Sequence, residues 1–319
     1  MAPRTEDEEQ ILLNNRRTTS DYDISLNNEI DVMEEKEYLN PPHNSILRKT
    51  SLNNATFNLV ATIVGGGVLS LPQAFAQAGI VLTTLMLIFS GAITEFSLYL
   101  VCSCARRTGS TSYMEIMKFA WGDASEVFVT FLMWLFLSGV LVAYSVLMMG
   151  IFSPLVKEGL NTYFGVDVED IQDSYVLAAI LLTVSYFILQ RNLYALRHIC
   201  YVGFTSVCII IISMSIRAFQ KNFGNSTEYV AARPHSIKYY STEGSDILSA
   251  FPIIILSFMC THNMIEVQGA LVNPTMTRVG YILRRSLSLA FILFLAFGLA
   301  GYFYAYSECH DNIFLNFGM

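Results

Sequence analysis

The sequence predicts an all-α integral membrane protein, and three observations predict it. Seven stretches are apolar over close to the twenty or so residues that a helix needs to cross a bilayer. Hydrophobic residues make up 53% of the 319-residue chain and charged residues only 14%, where a soluble domain carries about a quarter. The basic residues crowd into the connections on one side of those stretches, the asymmetry that sets membrane orientation.

In chain order the expected spans are Asn54 to Gln77, Ile80 to Cys104, Val127 to Met149, Tyr175 to Leu189, Ile199 to Ile216, Ile247 to Gly269 and Tyr281 to Tyr306. The fourth is the shortest. Between the second and third, SYMEIMKFAWG sets Ser112 and Glu115 at capping-box spacing. Met114, Met117 and Trp121 share one face of that segment, which predicts a short helix on the membrane surface. With the N-terminus in the cytosol, fourteen of the nineteen Lys and Arg residues fall on the cytosolic side. The long connection after the fifth span then lies outside and carries the sequon Asn225-Ser-Thr227, a candidate glycosylation site at Asn225. A second sequon at Asn54 sits at the cytosolic entrance of the first span and is set aside. An N-terminus inside also argues against a seven-helix receptor, whose N-terminus is outside.

Residues 1–50 hold 11 acids and 6 bases, and so contribute −5 of the chain's net −7. They are polar, lack apolar periodicity and contain NN and PP pairs, so they read as a disordered cytosolic tail, with the membrane domain over residues 51–319. No apolar core follows a basic start, which excludes a signal peptide there. Five of the six cysteines lie in or beside apolar spans, where Cys acts as a small hydrophobe. Cys309 alone falls in an expected outer loop. No Cys/His pair has ligand spacing, so no metal site is expected. No nucleophile–base pair appears, and GGGVLS lacks the lysine of a phosphate loop, so no catalytic residues and no enzyme activity are expected.

The functional signal lies in two interruptions. ATIVGGGVLSLPQAF, Ala61 to Phe75, places three consecutive glycines and a proline in the middle of the first span. Each Gly weakens a helix by roughly 1 kcal/mol relative to Ala, and Pro by about 3. Close helix packing accounts for small residues four apart on one face. Three in succession cover every face, so Gly65, Gly66 and Gly67 read as a break. Unwound backbone survives at membrane depth only where protein or a water-filled cavity surrounds it. Its free N–H groups suit a carboxylate. The sixth span reaches Cys260-Thr-His-Asn263 at its centre, a polar run that is costly unless it faces a cavity. His262 alone is equally well read as an interhelical hydrogen-bonding residue. Breaks in the first and sixth spans together mark an inverted-repeat transporter with its substrate site at two broken helices. Two embedded carboxylates, Glu95 and Glu266, are candidates for ion coupling, and Glu266, one turn past Asn263, also reads as a group facing inner water.

These residues carry a resemblance. FNLVATIVGGGVLSLPQAFAQAGI, Phe57 to Ile80, resembles the first span of the amino acid/auxin permease family, whose pattern is an Asn, then G-x-G-[IV]-L, a Pro and a closing Gly. Asn58, Gly65, Gly67, Leu69, Pro72 and Gly79 fit it. FPIIILSFMCTHNMIEVQGALVNP, Phe251 to Pro274, resembles the family's sixth span, and NPTMTRV the loop after it. The likeness runs from about Ser51 to Phe317. The family includes sodium-coupled neutral amino acid transporters and proton-coupled vacuolar ones. The resemblance implies a LeuT-type inverted-repeat fold, of whose eleven helices about seven lie within this chain. It implies secondary transport of small, neutral amino acids, driven by H+ or Na+, with no other cofactor. The substrate-binding residues it implies are Val64, Gly65, Gly66, Gly67, Thr261, His262 and Asn263, with the substrate carboxylate on the Gly66 and Gly67 amides. The ion-coupling candidates are Asn58, Thr62 and Glu95.

The sequence departs from the family where His262 stands one place late, with Thr261 in the His position and Asn263 in the Asn position. A second Asn common in sodium-coupled members is Ala61 here, which favours protons or another mode. An acidic residue near the end of the sixth span is Ala270. Because the chain stops at Met319, after the seventh expected span, the eighth to eleventh helices are expected to be missing and the fold C-terminally truncated. The competing expectation is a non-transporting membrane sensor or interaction protein signalling through its acidic tail. The expected partners are an amino acid and the lipid bilayer, in the plasma membrane or a vacuolar or lysosomal one. No nucleic acid is expected, and the sequence carries no sign of an oligomeric state.

Overall fold

The computed structural model describes residues 42, 45, 46, 48–164, 173–189, 193–223, 237–306, 309, 310 and 313. The described residues form ten α-helices and no extended strand, only one isolated bridge. They are α1 (Leu52–Ile63), α2 (Leu71–Ala78), α3 (Ile80–Thr108), α4 (Tyr113–Trp121), α5 (Asp123–Phe164), α6 (Asp173–Leu189), α7 (Leu193–Phe223), α8 (Gly244–Ser257), α9 (Thr261–Ala270) and α10 (Met276–Ala305). Among the described residues four helices, α3, α5, α7 and α10, are long and apolar enough to cross a bilayer by themselves; α8 with α9 make a fifth crossing, and α1 with α2 a sixth, bent one. The chain is an integral, multi-pass membrane protein. The fourth expected span corresponds to α6, whose 17 described residues lie at the short end of the length that crosses a bilayer. Asn225 lies outside the described residues.

The helices divide into two compact units. One contains the described residues up to Val60 with Glu95–Val129 and Cys260–Leu287; the other contains Ala61–Thr94, Thr130–Met259 and the described residues from Ser288.

In the first unit the start of the chain is tied down. Arg48, 6% exposed, donates from Nη1 to the carbonyls of Gln268 (2.8 Å), Gly269 (3.1 Å) and Leu271 (3.1 Å), the orphan acceptors at the end of α9. The Thr50 N–H donates to the Ala270 carbonyl and the Val272 N–H to that of Thr50, forming a one-residue parallel bridge. Arg48 to Thr50, counted with the tail on composition, are therefore packed. Arg106 of α3 donates to the Pro274 carbonyl, and Gln268 Nε2 to that of Cys102. The Ser112 cap is present, its Oγ accepting from the Glu115 N–H at 3.3 Å. The Glu115 carboxylate reaches past Ser112 to the N–H (2.6 Å) and hydroxyl (3.0 Å) of Thr111. No residue of α4 is buried, as expected of a surface helix.

The second unit is built around α2. Its Leu71, Ala74, Phe75 and Ala78 are fully buried, and it packs along α8. Gly298 and Gly301 of α10 leave room for Phe75 and Pro72: a Cβ on either glycine would stand 2.3 Å from those rings. Gly79, at φ +86°, turns the chain between α2 and α3 in a conformation that L side chains rarely adopt. Beside it the segment before α8 pairs by backbone. The Ile80 and Val81 N–H groups donate to Lys238 and Tyr239 carbonyls, and the Ser241 N–H to that of Ala78. An ion pair from Lys238 to Asp246 (2.8 Å) and a Tyr302 hydroxyl accepting from the Lys238 N–H (2.9 Å) hold this strap. The most apolar stretch of α5 has none of its residues buried among the described residues.

Candidate functional site: two interrupted spans

The glycine run breaks the first span where it was expected. α1 ends at Ile63, Gly65 is extended (φ −105°, ψ −151°), and Gly66–Ser70 form a 3-10 turn that leads into α2. Pro72 sits in the first turn of α2, where its missing N–H is not needed. The Gly65 N–H donates to Ile63 and the Val68 N–H to Gly65. The N–H groups of Gly66 and Gly67, which open the turn, have no acceptor within it. Val64 is 4% exposed, so its side chain belongs to the core and only its backbone is available to a ligand.

Two neighbours in the same unit escaped the sequence reading. The Tyr144 hydroxyl of α5 stands 3.1 Å from where a Cβ on Gly65 would be, and Tyr144 is 45% exposed. Ser257, the last residue of α8, presses its Cα to 3.2 Å from a Cβ placed on Gly67. Its Oγ lies 2.8 Å from the Ile253 carbonyl and 3.3 Å from that of Gly67. Tyr144 is one more aromatic in an apolar span and carried no signal of its own. Ser257 directly precedes the polar run, and that adjacency was the available signal.

The sixth span is also interrupted, slightly earlier than expected. α8 ends at Ser257, Phe258 to Cys260 are non-helical, and α9 starts at Thr261. Thr261, His262 and Asn263 therefore form the first turn of α9, with Thr261 and His262 exposed and the Asn263 N–H donating to Cys260 (3.2 Å). The residues Phe258 and Met259 that unwind carry no polar side chain, so polarity and break were offset in the sequence. Tyr113 of α4 donates to the Thr261 carbonyl. Burial, with Cys102 and Cys260 nearby, pushes the Tyr113 phenol above its usual range and keeps it a neutral donor.

The ion-coupling candidates fall on two helices, Asn58 and Thr62 one turn apart on α1 and Glu95 on α3. Asn58 is exposed on α1 and Thr62 half-buried in its last turn. Glu95, expected as an embedded carboxylate, is paired with Arg284 of α10 at 3.3 Å, in side chains 34% and 80% exposed respectively. Such an exposed pair contributes little stability, about 1 kcal/mol at most. Glu266 is exposed. Among the described residues no group of three His, Cys, Asp or Glu could hold a metal. Cys309 is a free thiol, pushed up to about 12 by burial.

Comparison with known proteins returns one consistent picture. The family described as transmembrane amino acid transporter protein matches residues 48–319. The chain is 26% identical over 269 residues to "Putative sodium-coupled neutral amino acid transporter 11" of Bos taurus, covering 82% of this chain and 55% of that protein. It is 26% identical over 268 residues to vacuolar amino acid transporter 5 of Schizosaccharomyces pombe (83% and 60%). It is 24% identical over 273 residues to vacuolar amino acid transporter 7 of Saccharomyces cerevisiae (84% and 52%). The chain thus spans little more than half the length of these relatives. No solved structure matches it.

Proposed function

Because the chain belongs to the transmembrane amino acid transporter family, we propose that it is a secondary active transporter of small, neutral amino acids, working by alternating access with its N-terminus in the cytosol. The observation that carries the reading is the broken first span, with the Gly66 and Gly67 N–H groups opening a 3-10 turn beside the Tyr144 hydroxyl. Two backbone donors and a phenol suit a carboxylate, the group common to every amino acid. Gly65, Gly66 and Gly67 supply the carboxylate seat, with Val64 contributing backbone only. Thr261, His262 and Asn263, which belong to the other compact unit, are proposed as substrate-binding residues from their polarity in the sequence alone. The neutral preference is supported by the lack of any Asp, Glu, Lys or Arg among these residues.

Coupling is assigned to H+ or Na+, through Asn58, Thr62 and Glu95. A proton carried by Glu95 competes directly with Arg284 for its carboxylate. The membrane of residence is a plasma membrane or a vacuolar or lysosomal one, the vacuolar placement being supported by the likeness to vacuolar amino acid transporters 5 and 7. The test is uptake of labelled amino acids by the purified protein in liposomes, with an inward proton or sodium gradient imposed in turn. Saturable uptake of small neutral amino acids, stimulated by one gradient and abolished by its ionophore, is the expected result. No saturable flux under either gradient would favour a sensor or interaction protein instead.

A further inference from the structure

We propose that Ser257 is a positioning residue for transport, a two-position clasp between the end of α8 and the broken first span. The inference rests on the transport reading above and adds a residue to it. Ser257 is 2% exposed and is the last helical residue before the second interruption, while Gly67 lies in the first. Both belong to the same compact unit, in which α8 packs against the 3-10 turn.

The contact is made backbone to backbone. A Cβ on Gly67 would lie 3.2 Å from Ser257 Cα and 3.5 Å from its nitrogen. The hydroxyl at this point carries one proton and faces two acceptors, Ile253 O at 2.8 Å and Gly67 O at 3.3 Å. The shorter bond is the ordinary back-bond of a helical serine to the carbonyl four residues earlier. The longer one crosses from one interrupted span to the other. Donation to Gly67 holds its carbonyl against α8 and with it the peptide plane shared by the Gly67 carbonyl and the Val68 N–H. Donation to Ile253 releases that plane. The clasp therefore biases the conformation of the glycine segment on which substrate affinity depends, without touching substrate itself.

A serine that only satisfies its own hydroxyl would behave differently, and the two roles separate kinetically. Ser257→Ala removes the proton and one oxygen and nothing else. Loss of positioning is expected to raise KM about tenfold with Vmax within a factor of two, because binding rather than turnover is affected. Ser257→Thr keeps the hydroxyl and is expected to restore KM to within about threefold of wild type. The melting temperature of each variant, with and without the transported amino acid, is read alongside. Ser257→Ala should melt close to wild type but lose most of the amino-acid-induced shift, since that shift follows the ligand's affinity. An unchanged KM and an unchanged ligand-induced shift in Ser257→Ala would overturn the inference, as would a fall in Vmax and melting temperature with KM unaltered. Absence of wild-type uptake would instead overturn the transport reading on which it rests.

Discussion

Replacing Arg48 by methionine is expected to be among the most damaging single changes outside the interrupted spans. One guanidinium nitrogen serves three carbonyls at the end of α9, and Nε reaches the Pro42 carbonyl at 3.2 Å. Methionine fills the volume of the stem but donates nothing. Two of these acceptors, the Gln268 and Leu271 carbonyls, are buried, and each left unpaired is destabilised by about 1–3 kcal/mol, so the total loss is on the order of 2–6 kcal/mol. That is a large part of the roughly 5–15 kcal/mol by which proteins are stable. The consequence is local first: α9 loses its C-terminal clamp, and the Thr50–Leu271 bridge beside it loses its anchor. Thermal unfolding of the detergent-solubilised protein checks the size of the effect. Hydrogen exchange should show early deprotection at Thr50 and Val272, whose N–H groups make the bridge. Lysine at position 48 should recover less than half of the loss, because a single ammonium cannot reproduce the planar fork and its Nε. Wild-type stability in Arg48→Met would show that the clamp contributes nothing.

An equally large effect is expected where α10 lies flush on α2. A Cβ at Gly298 would stand 2.3 Å from Phe75 Cε2, and one at Gly301 2.3 Å from Pro72 Cγ, both more than an ångström inside ordinary contact. Phe75 and Pro72 are buried, and the proline ring has no rotamer with which to yield. Even alanine at either position forces the helices apart, at a cost of about 1–3 kcal/mol for overpacking, and valine is expected to prevent a stable fold. The decisive experiment is the double variant. Gly298→Ala together with Phe75→Leu should be more stable than Gly298→Ala alone, since the smaller side chain vacates the overlap. Gly139→Ala, where a Cβ meets nothing within 4 Å, serves as the neutral control. Equal stability of all three would remove the close approach from the account.

What could be read beforehand divides along a physical line. The break at Gly65 to Gly67 was legible because glycine acts through its own backbone freedom, and three in a row leave the helix no alternative. Pro72 was legible for the same reason, though as part of a defect. Its place in the first turn of α2 shows that it starts a helix there. The break in the sixth span was legible only to within three residues. Polar side chains at Thr261 to Asn263 announce where a cavity is needed, whereas the unwinding itself falls on Phe258 to Cys260. Partners distant in sequence were not legible at all. Nothing in the second span says that Glu95 meets Arg284, and nothing in the tail says that Arg48 belongs to α9, 220 residues away. Tyr144 and Ser257 were hidden because a lone Tyr or Ser in an apolar helix is ordinary. Only the identity of its neighbour gives it a role.

The measurement that bears most directly on the central claim is amino-acid flux through Gly66→Leu in liposomes, beside wild type at equal protein density. If the Gly66 and Gly67 N–H groups bind the carboxylate, a leucine that drives this segment toward helix weakens that binding by the equivalent of one charge-assisted bond, about 1.5–3 kcal/mol. Flux at low substrate concentration should then fall by about ten- to a hundredfold, while the melting temperature without substrate stays near that of wild type. Flux through Gly66→Leu equal to wild type would contradict the claim that the broken first span is the seat of the transported amino acid.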